Sequence, residues 1–249
     1  MKPYIKLPKI ESLPDSSILK RKLNSEIWKN YIFSVLLEYY KFVDNKEIIS
    51  IIENESQKQQ SEIEKIIKEH ISKWLKYRCR KFDNAGLIIN LEPSTECKVS
   101  GFYDLKFEHS DWRNQYFSFE VKNLGKAKSI TLSKSINEYV YVKEKDREDG
   151  GMYRYLNGKY ACNMNFGEMI GFVIGRTENS IIEILLNKIH AIYDNNSIGM
   201  LTNDKIIKNS IYRNPNTFDS IHIRQNNKTK ENEEFRLHHI IMDFVNSEN

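Results

Sequence analysis

At 249 residues, with 40% hydrophobic and 29% charged residues, the chain has material for one sizeable core and is too apolar for intrinsic disorder. No apolar run approaches the roughly 20 residues of a membrane span, and no apolar segment follows the charged residues 1–9, so neither a membrane helix nor a signal peptide is expected and the expected location is the cytoplasm. The net charge of +4 permits a nucleic-acid partner without requiring one, and the three scattered cysteines, Cys79, Cys97 and Cys162, contain no CxxC pair and argue against a disulfide framework or a structural zinc site.

In chain order, residues 17–43 read as a helix, with Ile27, Tyr31, Val35 and Tyr39 at four-residue spacing. A second short helix covers residues 46–54, and the polar residues 55–60 read as a connector. Residues 61–81 carry the strongest helical pattern, because Ile63, Ile66, Ile67, Ile71, Trp74 and Leu75 form one apolar stripe. Asn84, Ala85 and Gly86 end it. A β-rich region follows, with short candidates at 87–91 and 96–99 and longer ones at 101–108 and 116–123. Residues 129–143 read as a helix, Gly150 and Gly151 as a break, and 153–160 as a compact aromatic stretch. Residues 169–175 read as a buried strand and 180–193 as an amphipathic helix. Residues 220–224 and 235–244 suit a hairpin around the polar loop 225–234. Helices followed by strands and then by mixed elements predict an α/β or α+β domain behind a helical N-terminal segment. The division expected is residues 1–58 for the segment and 59–249 for the domain.

The chemistry concentrates in two of the strand candidates. Alternation puts Phe117, Phe119 and Val121 on one face of the second strand and Ser118, Glu120 and Lys122 on the other. In the first strand Tyr103, Leu105 and Phe107 share a face, opposite Asp104 and Lys106. An antiparallel pairing of Phe107 with Phe117 and Leu105 with Phe119 brings all apolar partners to one side. A slip of one residue would set polar groups against the core, so this register is favoured. It also places Asp104 directly across from Glu120. Two carboxylates in that relation repel, and a cation between them reverses the sign. Magnesium takes oxygen ligands, typically one or two carboxylates with water and substrate phosphate. Lys122, one step along from Glu120, is placed to orient or help deprotonate an attacking water, or to offset charge on a phosphate. On spacing alone, Asp, Glu and Lys also suit the solvated outer face of an ordinary hairpin.

Residues 101–104 (Gly-Phe-Tyr-Asp), followed after a hairpin by residues 119–122 (Phe-Glu-Val-Lys), resemble the PD-(D/E)XK nuclease superfamily, whose motif is an acidic residue on one strand and (D/E)-x-K on the next. Tyr103 stands where the family name has proline. Residues 151–155 (Gly-Met-Tyr-Arg-Tyr), 158–160 and 167–173 are similar to the region after the motif in bacterial proteins of restriction-nuclease type. The resemblance spans about residues 61–175. It implies a restriction-endonuclease-like mixed β-sheet flanked by helices. It also implies a Mg2+-dependent endonuclease, with Mn2+ substituting, that cuts double-stranded DNA. The metal would be held by Asp104, Glu120, the Val121 carbonyl and a glutamate on the preceding helix: Glu64 first, with Glu62 and Glu69 as fallbacks. The catalytic set it implies is Asp104, Glu120, Lys122 and Glu64. Restriction or anti-phage defence is the role such proteins serve, as homodimers or as subunits of a defence complex. A catalytically inactive nuclease-fold module that binds DNA or a partner protein is the alternative.

Lys126, Lys128, Arg154 and Lys159 are candidate DNA contacts, the last two interleaved with Tyr153, Tyr155 and Tyr160. His109 and Asp111 in the hairpin loop are near enough in sequence to touch a substrate. Neighbouring strand residues His238 and His239 point to opposite faces and cannot share a metal, so these and His222 read as structural. There is no Walker-type glycine loop, GxGxxG, GxSxG or HExxH, which lowers the odds of a nucleotide hydrolase, dehydrogenase, esterase or zinc protease.

Overall fold

The computed structural model describes residues 16–55, 60–95, 101–110, 112, 116–125, 131–145, 147–174, 180–194, 198–226 and 229–244. Its elements are α1 (Ser16–Phe42), α2 (Asn45–Glu55), α3 (Gln60–Arg78), α4 (Arg80–Asn84), β1 (Leu87–Leu91), β2 (Leu105–His109), β3 (Phe117–Gly125), α5 (Leu132–Val140), β4 (Val142–Glu144), β5 (Arg147–Asp149), α6 (Gly151–Leu156), β6 (Phe166–Ile174), α7 (Ile181–Tyr193), β7 (Met200–Lys208), β8 (Thr217–Gln225) and β9 (Asn232–Asp243).

Seven strands form one mixed sheet in the order β1-β2-β3-β6-β9-β8-β7, and β4 pairs with β5 in a separate small hairpin. The pairs β1/β2 and β2/β3 are antiparallel, β3/β6 and β6/β9 parallel, β9/β8 and β8/β7 antiparallel. Parallel neighbours need long crossovers, and α5, α6 and α7 lie within them. Their apolar residues pack with Leu124, Met169, Val173, Leu237 and Ile241 on one face of the sheet. Helices α1 to α4 cover the other face, with Phe33, Leu36, Ile67 and Ile71 against Phe107, Phe119, Val121, Ile170 and Ile240. The molecule is thus a mixed α/β structure whose sheet is flanked by helices. Phe119 is 1% exposed at its centre, and truncation there to alanine would cost roughly 3–5 kcal/mol.

Local chemistry explains the element ends near the sheet. In α3, Ile63, Ile67, Ile71, Trp74 and Leu75 are buried along one stripe, and Lys76 and Arg78 complement the helix dipole in the last turn. Cys79 adopts extended backbone, φ −98° and ψ 96°, and separates α3 from α4. Gly86, at φ +64°, turns the chain into β1 in a conformation that costs glycine little. Thr131 caps α5 by accepting a hydrogen bond from Lys134 N at 3.3 Å.

The register of the key hairpin is the one read from the alternation: Leu105 opposite Phe119 and Phe107 opposite Phe117. Tyr103 departs from the expectation. The chain leaves strand geometry at Asp104, so the alternation stops, and Tyr103 is buried in the opposite core, bonded to Tyr116 at 3.0 Å and packed on Tyr160. The C-terminal hairpin β8/β9 forms as expected. The helix expected at 129–143 is the shorter α5, its end giving way to β4, and the edge strand β7 had no counterpart in the sequence reading. The candidate strand at 96–99, Asp111, Lys126 and Lys128 lie outside the described residues. His109 packs on Trp28 and Trp112.

His238 bonds Asp219 on one face of β9, and His239 bonds Tyr139 and Ser220 on the other, as strand alternation requires. Burial pulls the His239 imidazole down to about 3 and that of His222 to about 4, so both are neutral packing groups near neutral pH. Cys79 is free and buried. Cys162 is disulfide-bonded, which the cysteine count did not lead one to expect. Among the described residues no helix is long and apolar enough to cross a membrane.

Candidate active site

The site is built on a buried strand edge that no neighbouring strand covers among the described residues. β2 pairs with β3 only from Leu105/Phe119 to Phe107/Phe117, and Asp104 N adds one bond to Phe119 O at 3.1 Å. Beyond that point β2 bends away while β3 runs on to Gly125, bonded to β6 along its other edge. Alternate residues of a strand direct their N–H and C=O groups to the same edge, so Val121, Asn123 and Gly125 are left facing no strand. Buried backbone donors without partners are costly. Each is met by a side chain: Val121 N by Asp104 Oδ2 at 2.7 Å, Asn123 N by Glu64 Oε1 at 3.2 Å, and Gly125 N by Ser135 Oγ at 3.1 Å. The two acids reach this edge from different elements, Asp104 from the end of β2 and Glu64 from α3.

Glu120 and Lys122 project from the adjoining face of β3, as the alternation demands, with Lys122 Nζ 2.9 Å from Glu120 Oε1 and 3.6 Å from Glu64 Oε2. Two further cations complete the cluster. Lys68, one turn after Glu64 on α3, donates to Asp104 Oδ1 at 2.7 Å and to Glu92 Oε1 at 3.0 Å. Arg154, from α6, places NH1 2.7 Å from Glu120 Oε1 and is itself held by Asp149.

Burial governs the electrostatics. Glu120 is 1% exposed, and desolvation pushes its carboxyl up to about 7, with the Asp104 charge adding to the rise and Lys122 and Arg154 opposing it. Burial alone would lower the Lys122 ammonium, but Glu120, Glu64 and Asp104 outweigh it and hold the ammonium well above its ordinary value. Glu120 Oε1 serves both cations, whereas Glu120 Oε2 is buried with no hydrogen-bond partner among the described residues.

The donor chemistry suits a hard divalent cation: carboxylates of Glu64, Asp104 and Glu120, and the Val121 carbonyl that strand geometry directs to the same edge as its N–H. Among the described residues, however, no three His, Cys, Asp or Glu groups stand close enough together to hold a metal. The Lys122 ammonium bridges Glu64 and Glu120, and that of Lys68 bridges Asp104 and Glu92.

The structure brings Glu64, Asp104, Glu120, Val121 and Lys122 together. Glu62 is exposed and Glu69 pairs with Lys73 at 3.9 Å, so neither takes Glu64's place. Arg154 was read as a DNA contact, but its guanidinium is committed to Glu120 and Asp149. Lys159 is half-buried beside Gly101. Sequence reasoning missed Lys68, Asp149 and Ser135. Only Lys68 carried a signal, its four-residue spacing from Glu64 on one helix face. No protein-family model matches the chain, and no curated protein or solved structure does either.

Proposed function

We propose that the protein is a Mg2+-dependent endonuclease of the PD-(D/E)XK type that hydrolyses phosphodiester bonds in double-stranded DNA, with Mn2+ able to substitute. The observation that carries the reading is that one ammonium, Lys122 Nζ, lies 2.9 Å from Glu120 and 3.6 Å from Glu64 beside the β3 edge that Asp104 closes. A restriction-endonuclease-like fold is part of the proposal. It is supported by the β1–β2–β3 antiparallel ladder that continues in parallel into β6, with α3 before it and α5 after it.

In this reading Asp104, Glu64, Glu120 and the Val121 carbonyl would hold the cation. Bound magnesium supplies Lewis acidity and a more acidic water. Lys122 orients that water and offsets the charge that grows on the attacked phosphate. Glu120 must be ionised to serve, and its two neighbouring cations favour the ionised form against the cost of burial. A role in bacterial restriction or anti-phage defence, as a homodimer or within a larger complex, follows from analogy with the family alone.

One observation favours a second reading, a catalytically inactive module that binds DNA or a protein. Lys68, Lys122 and Arg154 already neutralise the carboxylates internally, so the cluster is stable without a metal. Purified protein incubated with labelled duplex separates the two. Cleavage in Mg2+ or Mn2+ supports the enzyme. Salt-sensitive duplex binding with no cleavage under any divalent metal supports the module.

A further inference from the structure

Five groups that the candidate site does not use are joined end to end in the core beneath α5 and α7. The Tyr139 hydroxyl, from α5, lies 2.8 Å from His239 Nδ1. His239 Nε2 lies 2.9 Å from Ser220 Oγ, which in turn lies 2.9 Å from His222 Nε2. His222 Nδ1 ends the chain, 2.8 Å from the Gly199 carbonyl. The path thus runs from α5 across β9 and β8 to the residue just before β7. Tyr139, His239, Ser220 and His222 are all 0% exposed.

One fixed end sets the direction of every bond. A carbonyl only accepts, so His222 Nδ1 carries a hydrogen. A neutral imidazole has one donor and one acceptor, so His222 Nε2 accepts and the Ser220 hydroxyl gives it its single hydrogen. Ser220 Oγ then accepts from His239 Nε2–H, which leaves His239 Nδ1 to accept from the Tyr139 hydroxyl. With both rings neutral, every hydrogen on the path has an acceptor. Gly199 secures the fixed end. It sits at φ +72°, and a Cβ there would stand 2.6 Å from Leu156 Cδ1, so glycine lets this carbonyl pack against α6.

A proton added to either ring strands a hydrogen. On His222 Nε2 it faces Ser220 Oγ, which then receives two donors and has no acceptor for its own hydrogen. On His239 Nδ1 it faces the Tyr139 oxygen and leaves the phenol hydrogen bare. The surroundings offer little compensation. Leu201 and Phe235 flank His222 across the ladder, and Met169 and Phe218 flank His239. Helix α7 adds the Tyr193 ring, 5.2 Å from His222. On the other face of the sheet Asp219 and His238 pair with each other at 2.9 Å. Asp219 favours a charged His239, while His222 and His238 oppose it.

Tyr139 and Ser135 stand four residues apart on α5 and so share a face. Ser135 Oγ accepts from Gly125 N at 3.1 Å, at the open edge of β3. The helix face that starts the chain therefore also closes the edge of the candidate site. We propose that the chain is a latch: it closes in one direction only, with both imidazoles neutral, and holds α5 against the sheet and the Gly125 edge. Breaking any link frees α5 ahead of the rest of the fold. The latch needs neither metal nor nucleic acid, so it stands apart from the proposed activity.

The test uses full-length 15N-labelled protein at pH 7. Nuclear magnetic resonance reads the ring nitrogens of His222 and His239 in wild type, and amide hydrogen exchange of α5 and α3 in wild type, Tyr139→Phe and Ser220→Ala. His222 should carry its hydrogen on Nδ1 and His239 on Nε2. In each variant α5 amides should exchange about 5–100-fold faster, the scale of one buried group left without a partner. Amides of α3, on the other face of the sheet, should keep their wild-type rates. The opposite tautomer of either ring, or a charged ring at pH 7, would overturn the one-way chain, and this reading needs no variant to fold. Equal acceleration in α3 and α5 would reduce the chain to a general stabiliser and overturn the latch. Unchanged exchange in α5 would overturn it as well.

Discussion

Asp104 Oδ2 accepts a 2.7 Å hydrogen bond from Val121 N, so the acid nominated as a metal ligand also closes the open edge of β3. The two duties separate by substitution. Asp104→Asn keeps a carbonyl oxygen for the Val121 N–H but turns its NH2 to the buried Lys68 ammonium that Oδ1 now accepts from, whereas Asp104→Ala strips both donors, the bare backbone N–H adding about 1–3 kcal/mol to the cost. Urea denaturation should rank wild type above Asp104→Asn, which loses the ion pair with Lys68, and Asp104→Ala lowest, about 1–3 kcal/mol below Asp104→Asn. Cleavage should fall by at least about 100-fold in both variants, the scale of losing one electrostatic contributor. Equal stability of the two variants would show that the edge contact contributes nothing.

Metal binding should depend on pH through Glu120. Its carboxyl is raised to about 7, first by desolvation, so below that pH a proton occupies the group a cation needs. Ligand deprotonation is part of metal binding. Apparent Mn2+ affinity should therefore rise by about ten-fold from pH 6 to pH 8 and level off above. Glu120→Gln should bind weakly with no such rise. Calorimetry in two buffers of different ionisation enthalpy would reveal the released proton.

Lys122 separates catalysis from binding. Its ammonium stands 2.9 Å from Glu120 Oε1 and 3.6 Å from Glu64 Oε2, inside the cluster. Lys122→Ala should lower single-turnover cleavage by at least about 100-fold, while duplex affinity in calcium changes little. Normal cutting by this variant would remove Lys122 from the catalytic set.

How much of this was legible in the sequence follows from the range of the interactions. The register of β2 on β3 was readable because Leu105, Phe107, Phe117 and Phe119 leave one low-cost pairing, and the same parity fixes Glu120 and Lys122 on one face. Tyr103 broke the pattern because alternation holds only while the strand lasts, and nothing in the local sequence marks Asp104 as its end. Glu64 was reachable from its place beside the buried stripe of α3. The grip of Arg154 on Glu120 was not, since it depends on how closely α6 docks against β3, and interleaved tyrosines gave the opposite impression of an exposed cation. β7 escaped notice because its centre, Thr202 to Lys205, is polar, and its pairing with β8 shifts register between Leu201 and Ile206. Ser135 met Gly125 N only once the β3 edge was known to be open.

The buried histidines should set the acid limit of stability. Burial lowers the imidazoles of His222 and His239 to about 4 and about 3, below the value of about 6.5 expected in the unfolded chain. Between those limits the unfolded state binds the extra proton. The stability they contribute is thus complete above about pH 6.5 and is lost as pH falls towards 4, by roughly 1.4 kcal/mol per pH unit for each group at most. Comparison of urea midpoints at pH 7 and pH 5 should show a steeper fall for wild type than for His239→Gln. Identical slopes would mean that His239 is protonated, or exposed, in the folded protein.

The most direct measurement of the central claim is cleavage of supercoiled plasmid by purified full-length protein in Mg2+, in Mn2+ and in chelator, beside Glu120→Gln under the same conditions. The account predicts nicked and linear product from wild type with either metal, none in chelator, and a loss of at least about 100-fold in Glu120→Gln. Plasmid left intact by wild type under every divalent metal, or cut equally well by Glu120→Gln, would contradict it.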